Sequence, residues 1–305
     1  MRSHMFKLKN ILNFKNRQSR QDTELEECLS VKRDWHPIYI NKSKGTTKKK
    51  IYVPGKDLKE SLRTLLWDFQ KRAECHESVY SYRKSFSFAD MAQQHAGRKY
   101  LLKTDIKSFF DNISQDEVRE CLLGYYEPSL ANKLATFVCH DRKLPFGSPF
   151  SPYFSNIYLK KLDQYLGNLC AGVQAIYTRY GDDIYISHNN KDRLEAFTAL
   201  ITSFLFLEYP SLKLNNSKTK ISRTPFHIGP FTVQEFPCIN LCKSFKRSIR
   251  VKLHKYSILE LDRREIPELK GLLLFSKGHD PLFFWGTLYI KFAPDIDEIF
   301  SLPTK

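Results

Sequence analysis

Along the chain, clusters of β-branched and aromatic residues alternate with longer segments in which apolar residues return every three or four positions. The sequence AIYTRYGDDIYIS, 175–187, crowds strand formers on both sides of Gly181-Asp182, which predicts two strands joined by a tight turn with carboxylates at its tip. KYLLKTDI, 99–106, reads as a buried strand that delivers Asp105 at its end, and the capping-box spacing of Ser114 and Glu117 predicts a helix running through Tyr125. IYVPG, 51–55, predicts a short strand closed by Pro54-Gly55, and the stripe Leu58, Leu62, Leu65, Leu66 and Phe69 makes the following segment a core-packed helix. A second amphipathic helix, Lys191 to Glu208, packs Leu194, Phe197, Leu200, Ile201, Phe204 and Leu205 over a sheet. LPFGSPFSPYFSN, 144–156, reads as a turn that opens a helix running through Leu166; LKLNNSKTKIS, 212–222, reads as loop and strand. Residues 245–300 read as mainly helical and apolar, and the absence of repeats or long linkers predicts one unit of interlocked subdomains.

Charge narrows the choice of partners. Forty-nine Lys and Arg against thirty-three Asp and Glu leave +16 on 305 residues, which suits a polyanion such as nucleic acid or an acidic membrane surface. No apolar run is long enough to span a bilayer and the N-terminus lacks a signal-peptide core, so the expected location is the cytoplasm, with no membrane partner. Residues 1–24 form a basic N-terminal extension, in which Met1 to His4 resembles a cloning remnant ahead of Met5. From Lys213 to Lys255 ten Lys and Arg face one acid, Glu235, interleaved with Phe226, Phe231, Phe236 and Phe245. That density predicts a surface for nucleic-acid backbone, carried by Lys243, Lys246, Arg247, Arg250 and Lys252, with aromatics to pack or stack. The seven cysteines are scattered and odd in number, which predicts reduced thiols; Cys238 and Cys242 have no second close pair, which argues against structural zinc.

Adjacent carboxylates at a hairpin tip repel unless a cation offsets them, and hard divalent ions take such oxygen ligands. Taken alone, a Gly-Asp-Asp tripeptide is more often an ordinary Asp-rich turn than a site. Its company changes that. Asp105 stands where scaffold on both sides fixes it; the Gly147-Ser148-Pro149 turn offers backbone N–H groups to an anion or base pair; and SVYSYRKSFSF places Arg83 and Lys84 among aromatics and hydroxyls, either as a phosphate-gripping segment or as a surface strand. A strand-end carboxylate, a Gly-Ser-Pro turn and a paired-aspartate hairpin, in that order, suit two-metal nucleotidyl transfer.

In detail the chain resembles the reverse transcriptases over about residues 45–290. KTDIKSFFDNIS resembles their first carboxylate motif, LPFGSPFSPYFSN their template-and-nucleotide turn, RYGDDIYIS their paired-aspartate hairpin and LNNSKTKIS their lysine motif. The resemblance implies an α+β right-hand polymerase fold: 1–24 an extension, 25–224 interleaved fingers and palm, and 225–305 a thumb. It implies two Mg²⁺ ions, replaceable by Mn²⁺, on Asp105 and Asp182, with Asp183 a nearer or weaker ligand. Arg83 and Lys84 would neutralise the incoming dNTP, Lys218 would protonate pyrophosphate, Phe110 would lie beneath the incoming sugar, and the segment around 243–255 would grip the primer-template duplex. The lack of an appended nuclease, together with IYVPGKDLK and YRKSFSFADMAQQH, resembles the compact retron and defence-associated enzymes. That resemblance implies a non-coding RNA as template, a toxin or effector protein as partner and a role in anti-phage defence. The chain departs from the retron pattern in having Met91-Ala92-Gln93-Gln94-His95 for Asn-Ala-x-x-His, no Val-Thr-Gly after the lysine motif, Phe146 for a common Gln and Gly181 for a common Ala. Two other classes share parts of the pattern. An RNA-dependent RNA polymerase has the same hairpin, and Asp111 would then accept from a ribose hydroxyl; a catalytically idle nucleic-acid-binding module is opposed by the three intact aspartates.

Overall fold

The computed structural model describes residues 25–41, 48–236 and 238–303; the basic extension and the Gly45-Thr46-Thr47 loop lie outside them. Around the paired aspartates the chain forms a four-stranded antiparallel sheet of order β4-β5-β3-β6, made of β3 (Tyr100–Asp105), β4 (Ile176–Tyr180), β5 (Asp183–His188) and β6 (Lys220–Arg223). The central strand β3 pairs with β5 on one side and β6 on the other, in a register that sets Asp105 opposite Asp183. Because side chains alternate across a strand, the sheet divides two cores. Leu102, Ile184 and Ile186 face one core with Leu194, Phe197 and Ile201, whereas Leu101 and Tyr185 face the other. The helix predicted over Lys191–Glu208 has those bounds and covers the first face.

The first core also takes Lys56–Arg72, with Leu58, Leu62, Leu65 and Phe69 buried, and the helices Gln115–Leu122 and Pro128–Val138. The Ser114 capping box is formed, but that helix ends at Leu122 and the chain reaches Tyr125 through a turn. The helix opened by the Ser-Pro turn breaks at Leu159 into Ser151–Tyr158 and Lys160–Gly172, extending past the expected end at Leu166. The second core gathers the helices Lys243–Ser257, Ile266–His279 and Ile290–Ser301 against a three-stranded sheet β7-β8-β9 (Phe226–Ile228, Phe231–Val233, Ile239–Leu241).

The sequence pattern left one strand unmarked, and two expectations need correction. Trp35–Asn41 forms β1, an exposed strand paired antiparallel with β2 (Lys48–Pro54); Pro37 and a polar neighbourhood hid it. SVYSYRKSFSF is not a strand: Val79 makes one bridge to Arg179, and Tyr82 and Ser85 then turn at φ 56° and 66°. Phe226 and Phe231 do not offer themselves for stacking, being buried in the second core, whereas Phe236 is 75% exposed. Among the described residues no disulfide is formed, and no helix is long and apolar enough to cross a membrane.

His95, the last residue of MAQQH, is wholly buried beneath the sheet, its ring nitrogens 2.7 Å from Ser187 Oγ and 2.8 Å from Thr178 Oγ1. Burial, with Arg98 nearby, lowers its pKa from 6.5 to about 3. The unfolded chain therefore takes a proton below pH 6.5 that the folded chain refuses until about 3. Stability should be full above pH 6.5 and fall as pH drops toward 3, by up to about 1.4 kcal/mol per pH unit from this residue. Urea unfolding of wild type and His95→Gln between pH 8 and 5 should show that slope in the wild type and its loss in the variant; parallel curves would refute it.

Candidate active site

Asp105 ends the central strand, and the hairpin turn carries Asp182 and Asp183 beside it. The Ile106 N–H donates to the Asp182 carbonyl at 3.2 Å, which ties the hairpin tip to the strand end. Asp105 is 4% exposed; its Oδ2 accepts from Lys218 Nζ at 2.6 Å, whereas its Oδ1 is buried without a hydrogen-bond partner. Asp183 Oδ2 accepts from the Tyr185 hydroxyl at 3.2 Å and faces Lys103 Nζ at 3.5 Å. Burial raises the Asp182 carboxyl above its ordinary range, and Asp183 and Asp105 raise it further. The hydrogen bond to Asp105 raises the pKa of Lys218, so the ammonium is held charged against the strand end. An orphaned buried carboxylate oxygen and a neighbouring carboxyl disfavoured as an anion are what a divalent cation relieves. Among the described residues no three His, Cys, Asp or Glu side chains close into a ready ligand cage. Mg²⁺ needs none, since it keeps waters and binds through one or two carboxylates plus substrate phosphates. The residues present fit such an ion.

The hairpin tip rests on a buried network that sequence reasoning missed. Arg179 and Asp163 are both inaccessible to solvent, with Arg179 Nε and Nη2 each 2.7 Å from an Asp163 oxygen. Arg179 Nη1 donates to the Gly181 carbonyl at 2.8 Å and to Asn156 Oδ1 at 3.3 Å, and Nη2 to the Asn156 carbonyl at 3.2 Å. The Gly181 N–H donates to Ser81 Oγ at 2.8 Å. Gly181 turns at φ +63°, in the left-handed region where a side chain is strained. A signal was present: Asp163 interrupts the apolar stripe Leu159, Leu162, Leu166, and Arg179 sits among strand formers. Both mark charges on core-facing positions, which are rarely buried unless paired.

The other expected site residues lie on three sides. Gly147 packs its Cα against β2, where a Cβ would come within 2.2 Å of the Tyr52 carbonyl; Ser148 is buried, its Oγ accepting from the Phe150 N–H, and Pro149 is half-buried beside it. Phe110 is 8% exposed and meets Phe146 edge-on at 5.4 Å. Lys49 joins this corner from β2, 3.0 Å from Asp111 and 5.0 Å above Phe146, so Asp111 already has a cation partner. The segment bearing Arg83 runs beside β4, with Tyr82 reaching Gly181, but the Arg83 guanidinium turns back onto the His76 and Val79 carbonyls and lies 3.7 Å over Phe86; Lys84 is exposed.

The basic residues divide into two groups. Lys246 is 2.7 Å from the buried Asp280, and Lys252 bonds Glu265 and Glu268. Lys243, Arg247 and Arg250 are exposed at helical spacing on one face of Lys243–Ser257, with Arg250 5.1 Å from the Phe283 ring.

A sheet with carboxylates at the strand end and hairpin tip, flanked by a glycine turn and a helical basic domain, is the architecture of a right-hand polymerase. The chain belongs to the reverse transcriptase (RNA-dependent DNA polymerase) family, whose model matches residues 40–237. It is an RNA-directed DNA polymerase, a nucleotidyltransferase, and enzymes of this family use divalent metal ions. It is similar to the Escherichia coli retron Ec73 reverse transcriptase, 28% identical over 285 residues covering 87% of this chain and 89% of that protein. Retron Ec86 reverse transcriptase of the same species is 27% identical over 255 residues, 79% and 77% of the two chains. A telomerase structure from Candida albicans shares the fold with a TM-score of 0.52 and 12% identity, over 90% of this chain and 60% of that one.

Neutralising Lys243, Arg247 and Arg250 together should flatten the salt dependence of RNA–DNA duplex binding by about 0.7 to 0.9 log units per lost phosphate contact. Lys246→Met with Lys252→Met should leave that slope in place and lower the melting temperature instead. Anisotropy titrations from 50 to 300 mM KCl distinguish the two sets; equal slope changes would refute the division.

Proposed function

We propose that this enzyme extends a primer 3′ hydroxyl with dNTPs at a two-Mg²⁺ site formed by Asp105 and Asp182, copying a retron-type non-coding RNA. The observation that carries the reading is the unpartnered buried Oδ1 of Asp105 beside the Asp182 carboxyl. The chemistry the bound ions supply is activation of the attacking hydroxyl and neutralisation of the departing pyrophosphate. Asp105 and Asp182 would hold them, with Asp183, braced by Lys103 and Tyr185, as a nearer or weaker ligand beside them. Lys218 neutralises Asp105 at rest and, once released, offers its Nζ proton to pyrophosphate. Arg83 and Lys84 would meet the triphosphate only after the Arg83 guanidinium leaves its backbone carbonyls. The Gly147-Ser148-Pro149 turn backs the nucleotide, and the exposed stripe Lys243, Arg247 and Arg250 grips the duplex by its phosphates. We assign fingers and palm to 25–224 and the thumb to 225–305, because the second core draws most of its side chains from Phe226 onward. A cytoplasmic defence role, with a toxin or effector protein as partner, is the reading that kinship to retron enzymes supports.

Asp105→Asn and Asp182→Asn should each fold and lose primer extension in Mg²⁺ by about 10²-fold or more, the scale of removing a principal electrostatic stabiliser. Near-normal extension by either would overturn the site.

Phe110 supplies sugar selectivity in this reading: its buried ring, braced by Phe146, leaves no volume and no hydrogen-bond partner for a 2′ hydroxyl. Phe110→Ala should raise ribonucleotide over deoxyribonucleotide incorporation by about 10- to 100-fold, read as the ratio of kcat/KM values. An unchanged ratio in an active variant would remove Phe110 from that role.

A further inference from the structure

The two peptide groups around Gly181 are held by buried side chains on both sides. The N–H of the Tyr180–Gly181 peptide donates to Ser81 Oγ at 2.8 Å; the carbonyl of the Gly181–Asp182 peptide accepts from Arg179 Nη1 at 2.8 Å. That second peptide carries Asp182, so its plane sets where the Asp182 Cα stands and which way its side chain leaves. One residue further on, the Asp182 carbonyl accepts from Ile106, next to Asp105. The guanidinium itself has no freedom: its five N–H groups meet five acceptors, the two oxygens of Asp163, the Gly181 carbonyl, and the side-chain and backbone oxygens of Asn156. Ser81 is fixed in turn, its hydroxyl donating to Asn156 Oδ1 at 3.2 Å and its carbonyl accepting from Asn156 Nδ2 at 2.8 Å. Tyr177 donates its hydroxyl to Asp163 at 2.6 Å, so neither carboxylate oxygen can turn away. Outside the network the backbone of Ser78–Tyr80 brackets Arg179, with Arg179 N–H on the Ser78 carbonyl and Tyr80 N–H on the Arg179 carbonyl.

We infer that Arg179, locked by Asp163 and Asn156 and assisted by Ser81, is the positioning residue that places Asp182 relative to Asp105 for divalent-ion binding. Both side chains are wholly buried with their polar atoms committed inside the network, so they act through the Gly181 peptides. The planar guanidinium is required because a lysine ammonium offers three donors from one atom and cannot span Asp163, Asn156 and Gly181 together. The inference rests on the reading of Asp105 and Asp182 as the ion-holding pair.

Three variants test it, with Mn²⁺ binding to the protein alone read by electron paramagnetic resonance, beside the Mg²⁺ dependence of primer extension. Ser81→Ala removes the acceptor of the Gly181 N–H while leaving the ion pair whole, and Arg179→Lys keeps the charge while losing the fork. Both should weaken Mn²⁺ binding by about 10- to 100-fold, as loss of groups that orient ligands does. The Mg²⁺ concentration for half-maximal extension should rise in parallel, with dNTP KM at saturating Mg²⁺ within about twofold of wild type. Asp182→Asn is the control. If it binds Mn²⁺ like wild type, the ion-holding pair is misassigned and the positioning inference falls with it. If it loses Mn²⁺ while Ser81→Ala and Arg179→Lys retain wild-type affinity and Mg²⁺ dependence, the positioning inference alone is overturned. Should Arg179→Lys fail to fold, Ser81→Ala decides the matter.

Discussion

The constraint on which this architecture turns is the removal of one guanidinium from water. A buried charge is tolerated only with a close counter-charge and a full set of hydrogen bonds, and losing one partner of such a pair is far more damaging than never having built it. Arg179 therefore obliges the chain to deliver Asp163 from one helix, Asn156 from another and Ser81 from an irregular segment some hundred residues earlier to the same side of β4. Whether the pair adds net stability is secondary. What it imposes is register: a one-residue slip of β4 would carry Arg179 to the other face of the sheet, leaving Asp163 stranded and the Gly181 carbonyl without a donor. Three motifs separated in sequence thereby become one object.

The sheet then does two jobs at right angles. Across its thickness it separates two hydrophobic cores, so that β3 and β5 are buried on both faces and their geometry is insulated from movement in either. Along its length it lines up the strand end and the hairpin tip, so that carboxylates that would repel in water are held side by side by a backbone register that runs from Tyr100–His188 to Asp105–Asp183. The buried His95 belongs to the same support, spanning Ser187 and Thr178 on adjacent strands as a neutral ring. A catalytic geometry precise enough for in-line displacement needs such rigid support more than it needs strong individual contacts.

Much of this was legible in the residues. The carboxylate-bearing strand, the hairpin and the Lys191–Glu208 helix emerged nearly to their bounds because each satisfies its local period, with Gly181 marking the turn between the two hairpin strands. What stayed hidden shares a physical cause. The strands β7 to β9 have three residues each, too few to show alternation, and their phenylalanines looked available for stacking because nothing local shows that a helical layer will cover them. The partition of the basic residues was equally invisible: Lys246 and Arg247 are neighbours in sequence, yet one is spent on Asp280 and the other is open to solvent, a difference that only the third dimension makes. The Arg179 network was half visible, as charges on core-facing positions, but which acid met which base was not.

The contact between Lys218 and Asp105 gives the resting enzyme a tethered counter-ion. A cation arriving at Asp105 would meet one oxygen left open and the other already held by an ammonium that the chain itself supplies and that cannot diffuse away. Any ion affinity at this carboxylate would then be the difference between two attachments, lower than the carboxylate alone would give. With that ammonium in place, the strand end is never left as a bare buried anion, whatever cation is or is not nearby.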